Sequence, residues 1–143
     1  MDLCLCNDLD PIHTQTQVCI FMHVLELTTS TNTARLAHLS LKNSLLRIRG
    51  RMNEPTDWSG VFDSAASARP LLLYPTENAE TLTPDWCKAN PGPYRLIVPD
   101  GSWRQASKFF TRESIREPAL ANVQQVKLPP GPLSEYVLRR EPY

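Results

Sequence analysis

Short, almost continuous apolar runs alternate with segments of helical character, and this alternation limits the fold more than any other feature of the chain. The clearest runs are Gln17 to Leu25, Arg69 to Pro75 and Leu96 to Pro99. Runs of this length are typical of strands that are covered on both faces. Strands that alternate with helices predict an α/β fold, with a mostly parallel sheet and flanking helices.

Weaker patterns predict the remaining elements. Leu45 to Arg49, which is followed by Gly50, and Val123 to Leu128 are predicted as two further strands. A helix is predicted to end near Leu41, with Leu36 and Leu39 on one face.

The junction after Leu96 to Pro99 carries the most informative polar residues. Pro99 cannot donate a hydrogen bond to a ladder and is predicted to end the strand. Ser102 and Gln105 have the spacing of a capping box, so a helix is predicted to begin there. Asp100 therefore lies between a strand end and a helix start, at the edge of open α/β sheets where ligands bind.

One helix is predicted over 102–116, with a basic residue at every fourth position. The four basic positions form a stripe along one side and are Arg104, Lys108, Arg112 and Arg116. The apolar positions predict a buried face that consists of Trp103, Ala106, Phe109 and Phe110. An acid beside a basic helix indicates a site for an anionic ligand, although a solvated helix face explains Lys108, Arg112 and Arg116 equally well.

Length and charge restrict the class of protein. At 143 residues the chain is predicted to form a single domain over 1–143. Lys and Arg together number 15, as do Asp and Glu, and this balance argues against a strongly basic nucleic-acid-binding surface. No run has the length of a membrane helix, Met1 does not begin a leader, and the four cysteines are too few for a secreted scaffold. We therefore expect a cytoplasmic protein.

Two segments have little periodicity. Residues 51–68 are predicted to be a mobile insertion, in which Trp58 and Phe62 could cover part of the core or part of a pocket. Residues 81–93 are rich in proline, and their Trp86 and Cys87 are predicted to be packing residues.

The residues from Asp100 to Ala106 resemble the signature D-G-T-W-R-Q-A of the DTW-domain family, with Ser102 in place of threonine. That replacement keeps the hydroxyl group. Shorter family patterns are also similar to His23–Glu26, with Val24 in place of a proline, and to Asn32–Leu36, Leu72–Pro75 and Ser134–Arg139.

The resemblance implies the activity of a tRNA-uridine aminocarboxypropyltransferase. Members of the family use S-adenosylmethionine to place a 3-amino-3-carboxypropyl group on a uridine base nitrogen. The implied fold is SPOUT-like, an α/β sheet with a knotted C-terminal cofactor pocket. The residues expected to bind the cofactor are Thr33, Leu73, Tyr74, Pro75, Gly101, Ser102 and Trp103.

Asp100 is the expected catalytic residue, because a carboxylate can accept the imide proton of uridine. Asp100 could instead bind the cofactor's ammonium group or only order the turn. Trp103 could stack on a base or lie in the core. His23 is more typical of a core histidine than of a catalyst. The side chains expected to hold tRNA phosphates or the cofactor carboxylate are Arg104, Lys108 and Arg139.

Cys4 and Cys6 form a C-x-C pair that resembles the end of the family's cysteine cluster. A structural zinc site needs four ligands, so the segment 1–15 holds at most half of one, and two ordinary thiols explain the pair as well. The chain is expected to be a family member that is shortened at both ends. Two other functions stay open: a SPOUT-type RNA methyltransferase and a non-catalytic RNA-binding remnant of the family.

Overall fold

A computed structural model describes residues 9–30, 32–63 and 67–132. Its strands are β1 (Gln17–His23), β2 (Ser44–Arg49), β3 (Arg69–Leu73), β4 (Glu80–Thr81), β5 (Tyr94–Asp100) and β6 (Gln124–Lys127). Its α-helices are α1 (Ala34–Ser40), α2 (Pro84–Ala89), α3 (Trp103–Ser107) and α4 (Phe109–Arg116). Two 3-10 helices span Val24–Thr28 and Pro118–Asn122.

The six strands form one sheet in the order β2-β1-β5-β3-β6-β4, and every adjacent pair is parallel. This architecture confirms the predicted α/β fold with a parallel sheet and flanking helices. The knot that the family resemblance implies stays a prediction, and residues 133–143 lie outside the described residues.

The core has two parts, one on each face of the sheet. On one face, Cys19 and Phe21 of β1 pack in a buried cluster with Phe109 of α4. On the other face, Ile20 and Met22 pack against α1. Consecutive β1 residues alternate between these clusters because successive side chains of a strand point to opposite faces. The unbroken apolar run of β1 thus reflects burial on both sides.

Two strand ends differ from the prediction. β1 ends at His23, because the chain turns there into the 3-10 helix and the His23 ring accepts a hydrogen bond from the Leu25 amide, at 3.3 Å. β5 continues through Pro99, which pairs with Phe21, to Asp100. β3 pairs with β5 only as far as Ile97. Beyond that point β5 has a partner on one side only, so a missing amide hydrogen is tolerated there.

The capping box of Ser102 and Gln105 is present as predicted, but the helix after it is interrupted at Lys108. The Lys108 amide bonds to the Ala106 carbonyl, which tightens the chain and separates α3 from α4. The single helix predicted over 102–116 is therefore two helices, while the four residues of the predicted basic stripe are all exposed. Phe109 and Glu113 of α4 are buried.

One residue of the predicted buried face is exposed instead: Trp103 is 43% exposed. Leu36 and Leu39, predicted on one face of the helix, are both exposed. Helix α1 contacts the sheet through Ala34 and Ala37, whose small side chains allow close approach and leave the leucines on the outer side.

The segment after β2 covers the core, which resolves the alternative left open for its aromatic residues. The Trp58 ring lies 4.3 Å from the Phe21 ring and 5.5 Å from the Phe62 ring, and Val61 is fully buried. In the proline-rich segment, Trp86 packs against Tyr94 at 6.0 Å, whereas Cys87 is exposed and is not the packing residue predicted.

The two described cysteines are expected to react at very different rates with N-ethylmaleimide. Cys19 is fully buried, and burial raises the pKa of its thiol to about 11. At pH 7.5 the reactive thiolate is then only about one molecule in three thousand. Peptide mass spectrometry should find Cys87 labelled and Cys19 protected until urea unfolds the chain. Labelling of Cys19 at the Cys87 rate would contradict the described core.

Candidate functional site

The carboxyl ends of β1 and β5 form the crevice in which an open parallel sheet of this kind binds ligands. After β1 the chain enters α1 on one face of the sheet and continues to β2. After β5 it enters α3 and α4, which pack on the opposite face, and continues to β6. Two neighbouring strands whose connections leave toward opposite faces define a topological switch point.

Asp100 ends β5 at this switch point, where it pairs in register with Met22. The Asn32 side-chain amide donates to Asp100 Oδ2 at 2.8 Å and to Glu26 Oε2 at 3.3 Å. The Asn32 carbonyl oxygen accepts from the Ala34 amide at 3.0 Å. The Asn32 oxygen therefore binds the first amide of α1, while the Asn32 NH2 group joins two carboxylates. These bonds fix the position of Asp100.

A cavity of about 200 Å³, here called the aromatic cavity, lies beside Asp100. Its lining residues are Leu73, Tyr74, Pro75, Pro99, Gly101, Trp103 and Ala106. Five of the seven residues expected to bind a cofactor are therefore brought together by β3, β5 and α3. The other two are not among the lining residues: Ser102 caps α3, and Thr33 precedes α1.

The turn between Asp100 and α3 requires glycine. Gly101 has a φ of +151°, and a Cβ atom there would lie 2.7 Å from Oε1 of Gln105. That oxygen accepts a hydrogen bond from the Ser102 amide at 2.8 Å. Any side chain at position 101 would therefore displace the Gln105 side chain from the capping box. The signature residues at 100–105 thus form one rigid turn beside the aromatic cavity.

A second cavity, the polar cavity, has a volume of about 260 Å³ and follows the end of β1. Its lining residues are Glu26, Leu27, Thr28, Thr29, Ser30, Asn32 and Arg35. Asp100 itself is among the lining residues of neither cavity. Its chain neighbours Pro99 and Gly101 line the aromatic cavity, and its hydrogen-bond partner Asn32 lines the polar cavity.

A third cavity, the arginine groove, has a volume of about 430 Å³. Its lining residues are His23, Arg49, Gly50, Arg51, Arg112, Glu113, Ile115 and Arg116. Burial and then the charge of Arg49 lower the pKa of His23; Glu26 raises it in part, and Arg112 has the smallest effect and lowers it. The imidazole is therefore held neutral at pH 7, which is consistent with packing rather than with a charged role.

The predicted RNA contacts that the structure describes are not gathered at these cavities. Arg104 and Lys108 are exposed and line none of the three. Arg139, Cys4 and Cys6 lie outside the described residues. Among the residues that the structure describes, no group of three His, Cys, Asp or Glu side chains could hold a metal ion, and no helix is long and apolar enough to cross a membrane.

Two residues at the switch point were not predicted as site residues. Asn32 belongs to the stretch Asn32–Leu36 that resembles a family pattern, so the sequence contained a signal for it. The residue of that stretch that was predicted to bind the cofactor was Thr33. Arg49 gave no signal because it is simply the last residue of a strand. Its burial depends on the packing of α4 against the sheet, which no local pattern reveals.

Comparison with known proteins gives three findings. The family model described as "DTW domain" matches residues 1–143. A Drosophila melanogaster protein named tRNA-uridine aminocarboxypropyltransferase 2 is 29% identical over 137 residues, covering 92% of this chain and 51% of the relative. Its namesake in Macaca fascicularis is 30% identical over 145 residues, covering 98% of this chain and 47% of the relative. The chain thus spans about half the length of these curated relatives, and no solved structure matches it.

Proposed function

The chain belongs to the DTW-domain family, and we propose from this premise that it transfers the 3-amino-3-carboxypropyl group of S-adenosylmethionine to a uridine base nitrogen in tRNA. The names of the two relatives support the reaction type and the acceptor. The observation that carries the proposal is the position of Asp100. Its carboxylate is held by Asn32 at the switch point. Asn32 lines the polar cavity, and the chain neighbours of Asp100 line the aromatic cavity.

The two cavities have the chemistry that S-adenosylmethionine would need. The aromatic cavity offers the rings of Tyr74 and Trp103 and two proline faces, which suit a flat adenine. Its volume of about 200 Å³ is below that of most small-molecule sites, so it would hold only part of the donor. The polar cavity offers the Glu26 carboxylate and hydroxyl groups to the charged amino-acid arm. When bound, the donor would supply a carbon that is activated by its sulfonium group.

Asp100 would act as the general base. The imide nitrogen of uridine must lose its proton before it can attack carbon, and a carboxylate within hydrogen-bond reach can accept that proton. Arg49 lies close enough to interact electrostatically with Asp100. Asn32 would keep the carboxylate in place while the acceptor binds.

Two measurements test this function on the 143-residue chain. A calorimetric titration with S-adenosylmethionine should give binding heat, and mass spectrometry of tRNA digests should then find a uridine that carries the aminocarboxypropyl group. A methyl adduct would instead indicate a SPOUT-type RNA methyltransferase. Absence of both heat and adduct would indicate a non-catalytic member of the family. Either result would overturn the proposal.

Substitution of Asn32 is expected to slow transfer, and a charged replacement is expected to slow it more than a neutral one. Asn32→Ala removes the amide that positions Asp100 and should reduce kcat by about tenfold or more. Asn32→Asp would place a third carboxylate between Asp100 and Glu26, so repulsion should reduce kcat further. Steady-state kinetics with tRNA measures both effects, and thermal melting checks the fold. Equal activity of the two variants would contradict the role given to the bridging amide.

A further inference from the structure

The arginine groove contains positive charge that the reaction proposed above does not use. Arg112 and Arg116 are exposed and lie four residues apart on α4, so they occupy adjacent turns of one face. Arg51 lies across the groove, on the segment that follows β2. Guanidinium groups from two separate elements therefore converge on one cavity of about 430 Å³.

The buried arginine of the groove is already satisfied within the protein. Arg49 donates to the Phe21 carbonyl at 3.3 Å and to the Gln105 carbonyl at 3.2 Å, and its guanidinium lies over the Phe109 ring. The Glu113 carboxylate offsets part of its charge. Arg49 thus forms the floor of the groove and is not available to a ligand.

The charges of the exposed arginines, in contrast, are not neutralised by strong ion pairs within the described residues. In the portion of the chain that the structure describes, neither Arg112 nor Arg116 has a carboxylate oxygen within 4.0 Å. Arg51 pairs with Glu54 at 2.9 Å, but both side chains are largely exposed and such a pair is weak. A phosphate could therefore replace Glu54 as the partner of Arg51 and bind Arg112 and Arg116 with forked hydrogen bonds.

The groove also adjoins the turn that carries the proposed base. A Cβ atom on Gly101 would lie 3.3 Å from Cβ of His23, and His23 lines the groove. His23 therefore joins the groove to the turn that follows Asp100, and Arg49, which also lines the groove, interacts electrostatically with Asp100. This proximity lets one polynucleotide contact both the groove and Asp100.

We propose that the arginine groove binds a backbone phosphate of the RNA acceptor next to the modified nucleotide. The identity of the acceptor rests on the proposed function. The contact residues are Arg51, Arg112 and Arg116, whereas Arg104 and Lys108 lie beyond the helix break and outside the groove. Such contacts hold the register of an RNA without reading its sequence.

The test measures binding separately from transfer. Fluorescence anisotropy with labelled bulk tRNA compares the wild-type chain with the double variant Arg112→Ala/Arg116→Ala at several salt concentrations. Near 0.1 M salt the double variant should bind tRNA at least about tenfold more weakly. The slope of log affinity against log salt concentration should be smaller in magnitude by about one to two. The affinity for S-adenosylmethionine should stay unchanged.

The control removes two positive charges from outside the arginine groove. In Lys42→Ala/Lys88→Ala both lysines are exposed; Lys42 lies two residues before β2, and Lys88 lies on α2, where it pairs with the exposed Asp85. This variant should keep the wild-type affinity and salt slope. An equal loss in both double variants, or no loss in the arginine variant, would overturn the proposal, as would a wild-type chain that does not bind tRNA.

The failure of this inference differs from the failure of the proposed function. A chain that binds tRNA through the arginines but forms no adduct would support the groove and contradict the transferase. A double variant that keeps wild-type affinity while the wild-type chain forms the adduct would support the transferase and contradict the groove.

Discussion

Asp100→Asn is expected to lower the rate of aminocarboxypropyl transfer by roughly 10²- to 10⁴-fold, the usual contribution of a general base. The amide has the shape of the carboxylate but cannot accept the imide proton. Its carbonyl oxygen can still accept the hydrogen bond from Asn32, so the turn should stay intact. Transfer is measured at saturating S-adenosylmethionine and tRNA, and thermal melting compares the folds.

The control for this substitution is Asp85→Asn. Asp85 is almost fully exposed on α2, away from the switch point, so its variant should transfer at the wild-type rate. If Asp100→Asn also transferred at that rate, Asp100 would not be the base. If it lost the binding of S-adenosylmethionine together with activity, Asp100 would instead hold the ammonium group of the donor.

Phe109→Ala is expected to cost about 3–5 kcal/mol of the free energy of unfolding, as is usual for a buried phenylalanine. Phe109 is 1% exposed, and its ring lies 5.6 Å from Phe21 and 6.2 Å from Trp58. Its loss would also remove the ring beneath the Arg49 guanidinium, at 5.0 Å. Urea denaturation measures the change, which is a large share of the total stability of a typical domain.

The adjacent residue provides a matched control. Phe110 lies on the same helix but is only partly buried, so Phe110→Ala should cost clearly less. Phe109→Leu keeps most of the apolar volume and should recover part of the loss. Similar costs at positions 109 and 110 would mean that α4 does not pack as the structure describes.

The strands and the turn at Asp100 could be predicted because their signals are local. Apolar runs identified β1, β3 and β5, and the spacing of Ser102 and Gln105 identified the start of α3. These features depend on residues that are close together in the sequence.

Other features depend on tertiary packing and could not be predicted. Neither proline nor glycine marks the break at Lys108, where the chain turns to bury Phe109. The spacing of Leu36 and Leu39 predicted that they share one face of α1. It did not predict that this face is exposed, because the helix approaches the sheet through Ala34.

The candidate site was predicted only in part for the same reason. The residues of the aromatic cavity were named from a resemblance, and β3 and β5 place most of them together. The bridge from Asn32 to Asp100 joins residues that are 68 positions apart, so no local pattern contained it.

The strand order has a consequence for how the chain acquires its structure. The neighbouring strands β1 and β5 pair Gln17 with Arg95, and 78 positions separate these residues. A chain emerging from the ribosome can pair β1 with β2 early, but the other edge of β1 stays open until β5 has been synthesised. Closing such a long loop is slow, and the exposed apolar edge is open to association with other chains in the meantime. We therefore expect the nascent chain to depend on chaperones until β5 has docked.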